Sequence, residues 1–190
     1  MCSSDLDWPR PRFSSYHEFL GQTLGIVGFG SIGRVVAKKA HAFGLQCVAY
    51  DPMLAGDTVE LDGFSVPLLK LSNLLSRSHA VSLHLPYLPE TKNLFDGAVL
   101  DQMREGACLV NTARGGIVDE QALAERLRSG RIGGAAIDVF SAEPTKDLSH
   151  FSGIENLILT PHIAGVTHES NERVSQMIAD EVNRYLGALK

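Results

Sequence analysis

Cysteine is scarce, with only Cys2, Cys47 and Cys108 among 190 residues. Odd in number and without metal-ligand spacing, they exclude a disulfide framework and a thiolate centre; incidental thiols in a reducing cytoplasm are the expectation, and no metal is expected. Positive charge is also short, 17 Lys and Arg against 22 Asp and Glu, for a net charge of −5. With that sign and no basic run, neither nucleic acid nor an anionic membrane is an expected partner, although a local positive pocket can still hold an anionic substrate. No apolar run approaches the roughly 18 residues of a membrane span, and the opening MCSSDLDWPRPRF lacks the apolar core of a signal peptide.

What is present is a hydrophobic fraction of 44%, enough for one sizeable core in a chain of ordinary domain length or a little more. The stretch from Leu24 to Asp51 organises it. Leu24-Gly25-Ile26-Val27 is a short apolar run suited to a buried parallel strand, and Gly28-Phe29-Gly30-Ser31-Ile32-Gly33 follows directly. Ile32, Val35, Val36, Ala40 and Phe43 then recur with helical spacing, so a helix starting inside the glycine turn is expected to face the sheet with these residues and to stop at Gly44. Gly28 permits the tight turn, Gly30 lets a pyrophosphate approach the backbone, and Gly33 lets helix and strand come close. The helix start offers free N–H groups and a positive dipole end to phosphates. A second strand, 45–50, ends at Asp51, about twenty residues beyond the glycines, where a carboxylate can take the adenosine ribose hydroxyls. Strand before, helix within and acid after together predict a dinucleotide site. A carboxylate at position 51 would repel a 2′-phosphate, so NAD is expected over NADP.

Further along, apolar strands alternate with helical patterns. Strands are expected near 64–66, 80–85, 108–111, 135–137 and 157–159, and helices over 68–75, 98–103 and 119–128, the last stopped by Gly130. A final helix carries Val174, Met177, Ile178, Val182, Tyr185, Leu186 and Leu189 as its apolar residues. The pattern predicts an α/β fold with a doubly wound parallel sheet, the Rossmann arrangement. Residues 1–20 read as a lead-in, with Trp8, Phe13, Tyr16 and Phe19 able to cover an apolar surface; 21–165 form the cofactor domain, and 166–190 a C-terminal helix. His84, Thr112, Arg114, Asp138, Glu143 and His162 all fall at or just beyond strand ends, where such sheets bind ligands. That shared placement argues for one site.

At these residues the chain resembles the D-isomer-specific 2-hydroxyacid dehydrogenases, through LGIVGFGSIG, VSLHLPYLPETKNL, LVNTARGGIVDEQAL, GGAAIDVFSAEP and NLILTPHIAGVT in that order. The resemblance implies a catalytic trio. Arg114 would hold the substrate carboxylate and polarise its keto oxygen, a task that suits a planar guanidinium. His162 would be the general acid and base, and Glu143 the carboxylate that orients its ring. It also implies NAD contacts at Gly28, Gly30, Ser31, Ile32, Gly33, Asp51, His84, Pro86, Thr91, Thr112, Ala113, Arg114, Asp138, His162 and Gly165, with Asp138 at the nicotinamide carboxamide. Ser31 departs from many relatives, which carry a larger, often basic residue there.

The implied reaction is hydride transfer between a D-2-hydroxy acid and its 2-keto acid, in a homodimer joined through the cofactor domain. Family members usually have a substrate domain ahead of the cofactor unit; that front domain is missing here, and poor turnover by this chain alone is the expectation. The final helix would return toward it. A different class shares fold and trio: the C-terminal-binding corepressors, where NAD acts as a sensor for partner assembly. Formate enzymes depend on a glutamine before the histidine, and Glu143 argues against them.

Overall fold

The computed structural model describes residues 17–187. Cys2, Trp8, Phe13, Tyr16 and Leu189 lie outside the described residues. Among the described residues eight strands run in chain order: β1 (Thr23–Val27), β2 (Gln46–Tyr50), β3 (Thr58–Leu61), β4 (Phe64–Pro67), β5 (Ala80–Leu83), β6 (Cys108–Asn111), β7 (Gly134–Ile137) and β8 (Leu157–Leu159). The helices are α1 (Ser31–Ala42), α2 (Leu71–Arg77), α3 (Gly97–Leu100), α4 (Glu120–Arg128) and α5 (His168–Gly187). Six strands form one parallel sheet in the order β2-β1-β5-β6-β7-β8. The chain leaves β1 in one direction toward β2 and returns on the other side at β5, so the strand order reverses between β1 and β5. This doubly wound sheet has its ligand crevice outside the carboxyl ends at that reversal.

Alternation along β1 shows why both faces are covered. Ile26 joins Phe29, Ala37, Ala40, Cys47, Ala49 and Val66 beneath α1, while its neighbour Val27 joins Leu74, Leu83, Leu109, Leu123 and Ile137 on the opposite face, under α2 to α4. Asp96 caps α3 by accepting from Val99 N at 2.8 Å, and Asp119 caps α4 by accepting from Ala122 N at 2.9 Å. Among the described residues no helix is long and apolar enough to cross a membrane, and no group of three or more His, Cys, Asp or Glu could hold a metal ion.

Two expectations need correction. First, α1 faces the sheet with Gly33, Ala37 and the expected Ala40, with Val36 packed partly buried beside them, whereas Ile32, Val35 and Phe43 stand 66%, 50% and 75% exposed. The cause is the close approach at Gly33, where an added Cβ would lie 2.3 Å from the Gly28 carbonyl oxygen. A helix held that near its strand has room only for small residues on the same line. Second, β3 and β4 form a separate antiparallel hairpin, of which only β4 was expected; the two-residue Asp62-Gly63 turn, with Gly63 at φ +87°, is the signal that marks it. No side chain of α5 is buried, its Val174, Met177, Ile178, Val182, Tyr185 and Leu186 all being exposed, and Ile158 of β8 is 64% exposed. Phe19 is exposed too.

Candidate active site

The carboxyl ends of the six parallel strands deliver the polar residues in sheet order. Asp51 follows β2, the glycine turn follows β1, His84 follows β5, Thr112 to Arg114 follow β6, Asp138 follows β7 and His162 follows β8. At roughly 4.8 Å between strands, Asp51 and Arg114 are separated by about 14 Å across the edge, a span suited to an extended ligand.

The glycine turn is built by close packing. Gly28 sits at φ +90°, donates to Tyr50 O at 2.8 Å, and lies so near β5 that a Cβ would be 2.4 Å from the His84 carbonyl oxygen. Gly30 behaves differently: a Cβ there would meet no protein atom within 4 Å, so its open side faces free space above the start of α1. No side chain caps that helix start and its first turn holds no acid. Ser31 and Ile32 are exposed beside it. Asp51 ties the turn to β2, its Oδ2 accepting from Phe29 N at 2.8 Å and its Oδ1 from Met53 N at 2.9 Å. Each carboxylate oxygen retains a second lone pair. A pyrophosphate fits this cradle: uncapped N–H groups, no repelling acid in the first turn, and space where a side chain would otherwise stand.

Arg114 is positioned by a residue that the sequence analysis did not single out. Asn111, buried at the end of β6, accepts from Ala113 N through Oδ1 and donates through Nδ2 to Arg114 O, both at 3.1 Å. An asparagine closing an apolar strand before Thr-Ala-Arg-Gly-Gly is the local signal that identifies it. Arg114 itself is exposed; its Nη1 donates to Ala113 O at 2.6 Å. Next to it, Gly115 lies against the loop after β7, where a Cβ would fall 1.7 Å from the Phe140 carbonyl oxygen. Gly115→Ala should therefore separate the two turns and cost about 1–3 kcal/mol, as overpacking does. The check is a urea melt, with loss of Arg114-dependent anion binding as the companion reading.

His162 and Glu143 form a pair, Nδ1 to Oε2 at 2.6 Å. The other Glu143 oxygen accepts from Phe140 N at 2.8 Å. The His162 bond first, and the Phe140 N–H second, hold the Glu143 carboxyl below its ordinary pKa against a smaller opposing effect of burial. His162 stands at φ +56°, a left-handed conformation that costs a non-glycine residue roughly 1–3 kcal/mol and persists only where the surroundings enforce it.

Asp138 does the enforcing. Its carbonyl accepts from His162 N at 2.8 Å, its Oδ1 from Ile163 N at 2.9 Å and from the Thr160 hydroxyl, and its Oδ2 from Ala164 N at 2.9 Å. Burial opposes its charge, but the Thr160 hydroxyl, the two N–H groups and nearby His162 outweigh that and leave its pKa below the ordinary aspartate value. The carboxylate, expected at the cofactor, is thus directed into the loop that carries His162. Which way a strand-end aspartate turns depends on the following loop, which has no trace in local sequence.

Arg114, Glu143 and His162 line one cavity of about 840 Å³, together with Tyr87, Phe140 and Ser141. The other expected residues lie along the strand-end edge or away from it. The His84 ring bonds Ser82 Oγ at 2.9 Å, and burial holds its pKa below the ordinary histidine value. Pro86 and Thr112 are exposed, and Ala113 is half-buried. The Thr91 hydroxyl closes its own turn, donating to Pro86 O at 2.7 Å and accepting from Leu88 N at 2.8 Å. Gly165 accepts from the Ser170 hydroxyl at 2.6 Å, at the approach to α5.

The family described as "D-isomer specific 2-hydroxyacid dehydrogenase, NAD binding domain" matches residues 3–164. The chain belongs to that family. It is 50% identical over 186 residues to the (S)-sulfolactate dehydrogenase of Chromohalobacter salexigens, covering 95% of this chain and 58% of that protein. Against the D-3-phosphoglycerate dehydrogenase of Mycobacterium tuberculosis the identity is 40% over 175 residues, or 92% of this chain and 32% of the other. Among solved structures, the NAD-dependent formate dehydrogenase of Staphylococcus aureus in complex with NAD superimposes with a TM-score of 0.85 at 34% identity, covering 96% of this chain and 54% of that one. The chain spans a third to about three-fifths of the length of these dehydrogenases, and the shared part is the family's NAD-binding domain.

Proposed function

We propose that this chain is the cofactor half of an NAD-dependent enzyme that interconverts a D-2-hydroxy acid and its 2-keto acid. The observation that carries the reading is the 2.6 Å contact between His162 Nδ1 and Glu143, in the same cavity as Arg114. NAD would lie along the strand ends, its pyrophosphate at Gly28 to Gly33 and the N-terminus of α1, its adenosine ribose at Asp51. Bound there, it supplies or accepts the hydride.

The chain's own residues do the rest. Arg114 would grip the substrate carboxylate with its planar fork and draw electron density from the neighbouring keto oxygen. Glu143 accepts from Nδ1, which fixes the proton on that nitrogen and leaves Nε2 for the substrate. During reduction His162 would pass the Nε2 proton to the carbonyl oxygen as C2 gains the hydride; during oxidation Nε2 takes the hydroxyl proton as C2 loses it. Half-identity to a sulfolactate dehydrogenase supports a short, strongly anionic acid. Glu143 favours this chemistry over formate oxidation, and the NAD-sensing alternative gains no support from relatives named as dehydrogenases.

The reading extends to assembly. The apolar stripe of α5, with no buried side chain, supports a domain division in which 21–165 hold the cofactor and the helix from 166 onward returns to a substrate domain. The exposed Ile32, Val35 and Phe43 support pairing of two cofactor domains in a homodimer, and the unpaired Cys47 and Cys108 suit the cytoplasm.

Titration of the chain with NADH, followed by fluorescence or calorimetry, should show saturable binding that Asp51→Ala weakens; absence of saturation would sink the cofactor assignment. Turnover of a 2-keto-acid panel by the chain alone should be slow, because the cavity is open to water. Robust formate oxidation would contradict the substrate class.

A further inference from the structure

We propose that Glu120 is a positioning residue for the Glu143–His162 pair. That pair is half in water, with the His162 ring 49% and the Glu143 side chain 34% exposed, so solvent competes for its bond. A carboxylate so placed keeps one partner only if something behind it stays still. Glu143 belongs to the loop after β7, and two consecutive N–H groups of that loop are held by carboxylates. Phe140 N donates to Glu143 Oε1 at 2.8 Å, and Ser141 N donates to Glu120 Oε1 at 2.7 Å. The first is a bond within the loop. The second fastens the loop to α4.

Helix α4 is a rigid post, since Ala122, Leu123, Ala124 and Leu127 bury its inner face and Asp119 caps it. The Glu120 side chain is only 15% exposed, so most of it is held against the body of the protein although its bond to Ser141 N lies at the surface. Its second oxygen lies 3.4 Å from His150 Nε2, an imidazole nitrogen that is buried and makes no hydrogen bond among the described residues. The plainer role for Glu120 is an acid at a helix start, favourable to the helix dipole wherever its side chain points. The two roles differ in what they do to the His162 ring. If Glu120 holds the loop, its loss lets Glu143 drift toward solvent, and the neutral imidazole loses the acceptor that keeps its proton on Nδ1.

Two-bond proton–nitrogen spectra of the histidine rings of the chain, with the His162 signals assigned by their loss in His162→Ala, read that tautomer directly. Neutral His162 should be mainly the Nδ1–H form in the unaltered chain. In Glu120→Ala it should become mainly Nε2–H. Glu120→Asp keeps the charge at the helix start but is one methylene too short to reach Ser141 N, and should shift the same way. Glu120→Gln, whose amide oxygen can still accept from Ser141 N, should keep the original pattern. An unchanged tautomer in folded Glu120→Asp or Glu120→Ala, whatever the melting temperature does, would overturn the proposal; so would a shift in Glu120→Gln as large as in Glu120→Ala. The inference concerns the site of the proposed dehydrogenase, but none of these readings needs turnover. A chain that failed to bind NADH would count against the cofactor assignment and leave this one standing.

Discussion

His162→Ala should lower the rate of NADH-dependent keto-acid reduction by roughly 10²- to 10⁴-fold, the range expected when a positioned acid–base group is removed. Affinity for NADH should change little, because the glycine turn and Asp51 lie on β1 and β2, at the other end of the sheet from β8. The measurement pairs steady-state rates, in a form of the enzyme that includes a substrate domain, with NADH titration of the chain. A rate within a few-fold of the unaltered enzyme would remove His162 from the mechanism. Loss of NADH binding in the same variant would mean that the cofactor groove and the histidine loop are not separable. Glu143→Gln should fall between the two, since an amide can still orient the ring but carries no charge to offset the imidazolium formed during oxidation.

The second large effect belongs to Asp138. Asp138→Ala removes a buried acceptor from the Thr160 hydroxyl and from the N–H groups of Ile163 and Ala164, in a loop already held in a strained conformation at His162. Leaving such donors unpaired should cost about 3 kcal/mol. It should be visible as a lower urea midpoint with little change in slope. The pH dependence carries a distinct signature. The folded-state pKa of Asp138 lies below its ordinary value, so the carboxylate contributes stability that is complete above the ordinary aspartate pKa, about 3.9, and is lost as pH falls through the depressed folded value. Asp138→Asn should therefore be destabilised near neutrality and should lose less than the unaltered chain on going to strongly acidic pH. Equal acid sensitivity in the two proteins would assign the loop's stability to other groups.

Those two residues also mark how far local sequence reaches. The glycine turn, the acid at the end of β2 and the alternation of apolar strands with helical patterns are written within about 30 residues of one another, at spacings fixed by backbone geometry. The fold class and the glycine turn were legible for that reason, whereas the grouping of Arg114, Glu143 and His162 was an expectation drawn from the family resemblance of their motifs. The face of α1 was not legible. Ile32, Val35 and Phe43 have helical spacing, yet the sheet takes mainly the small residues, because the distance between Gly33 and the Gly28 carbonyl is a tertiary fact. Asn111 was missed as a mere strand end, although its amide shapes the Arg114 turn. The α5 stripe has the pattern of a packed helix without a packing partner among the described residues.

By itself, then, the order of residues determined the alternating architecture and the glycine turn at the start of α1, because each depends on neighbours close along the chain. Tertiary structure decided where Asp138 points: Glu143 meets the ring, as the family resemblance implies, and Asp138 turns inward to the backbone of residues 160–164. Both acids occupy strand-end positions of similar character. Only the path of a loop some twenty residues later, brought alongside by β7–β8 pairing, gives them different partners.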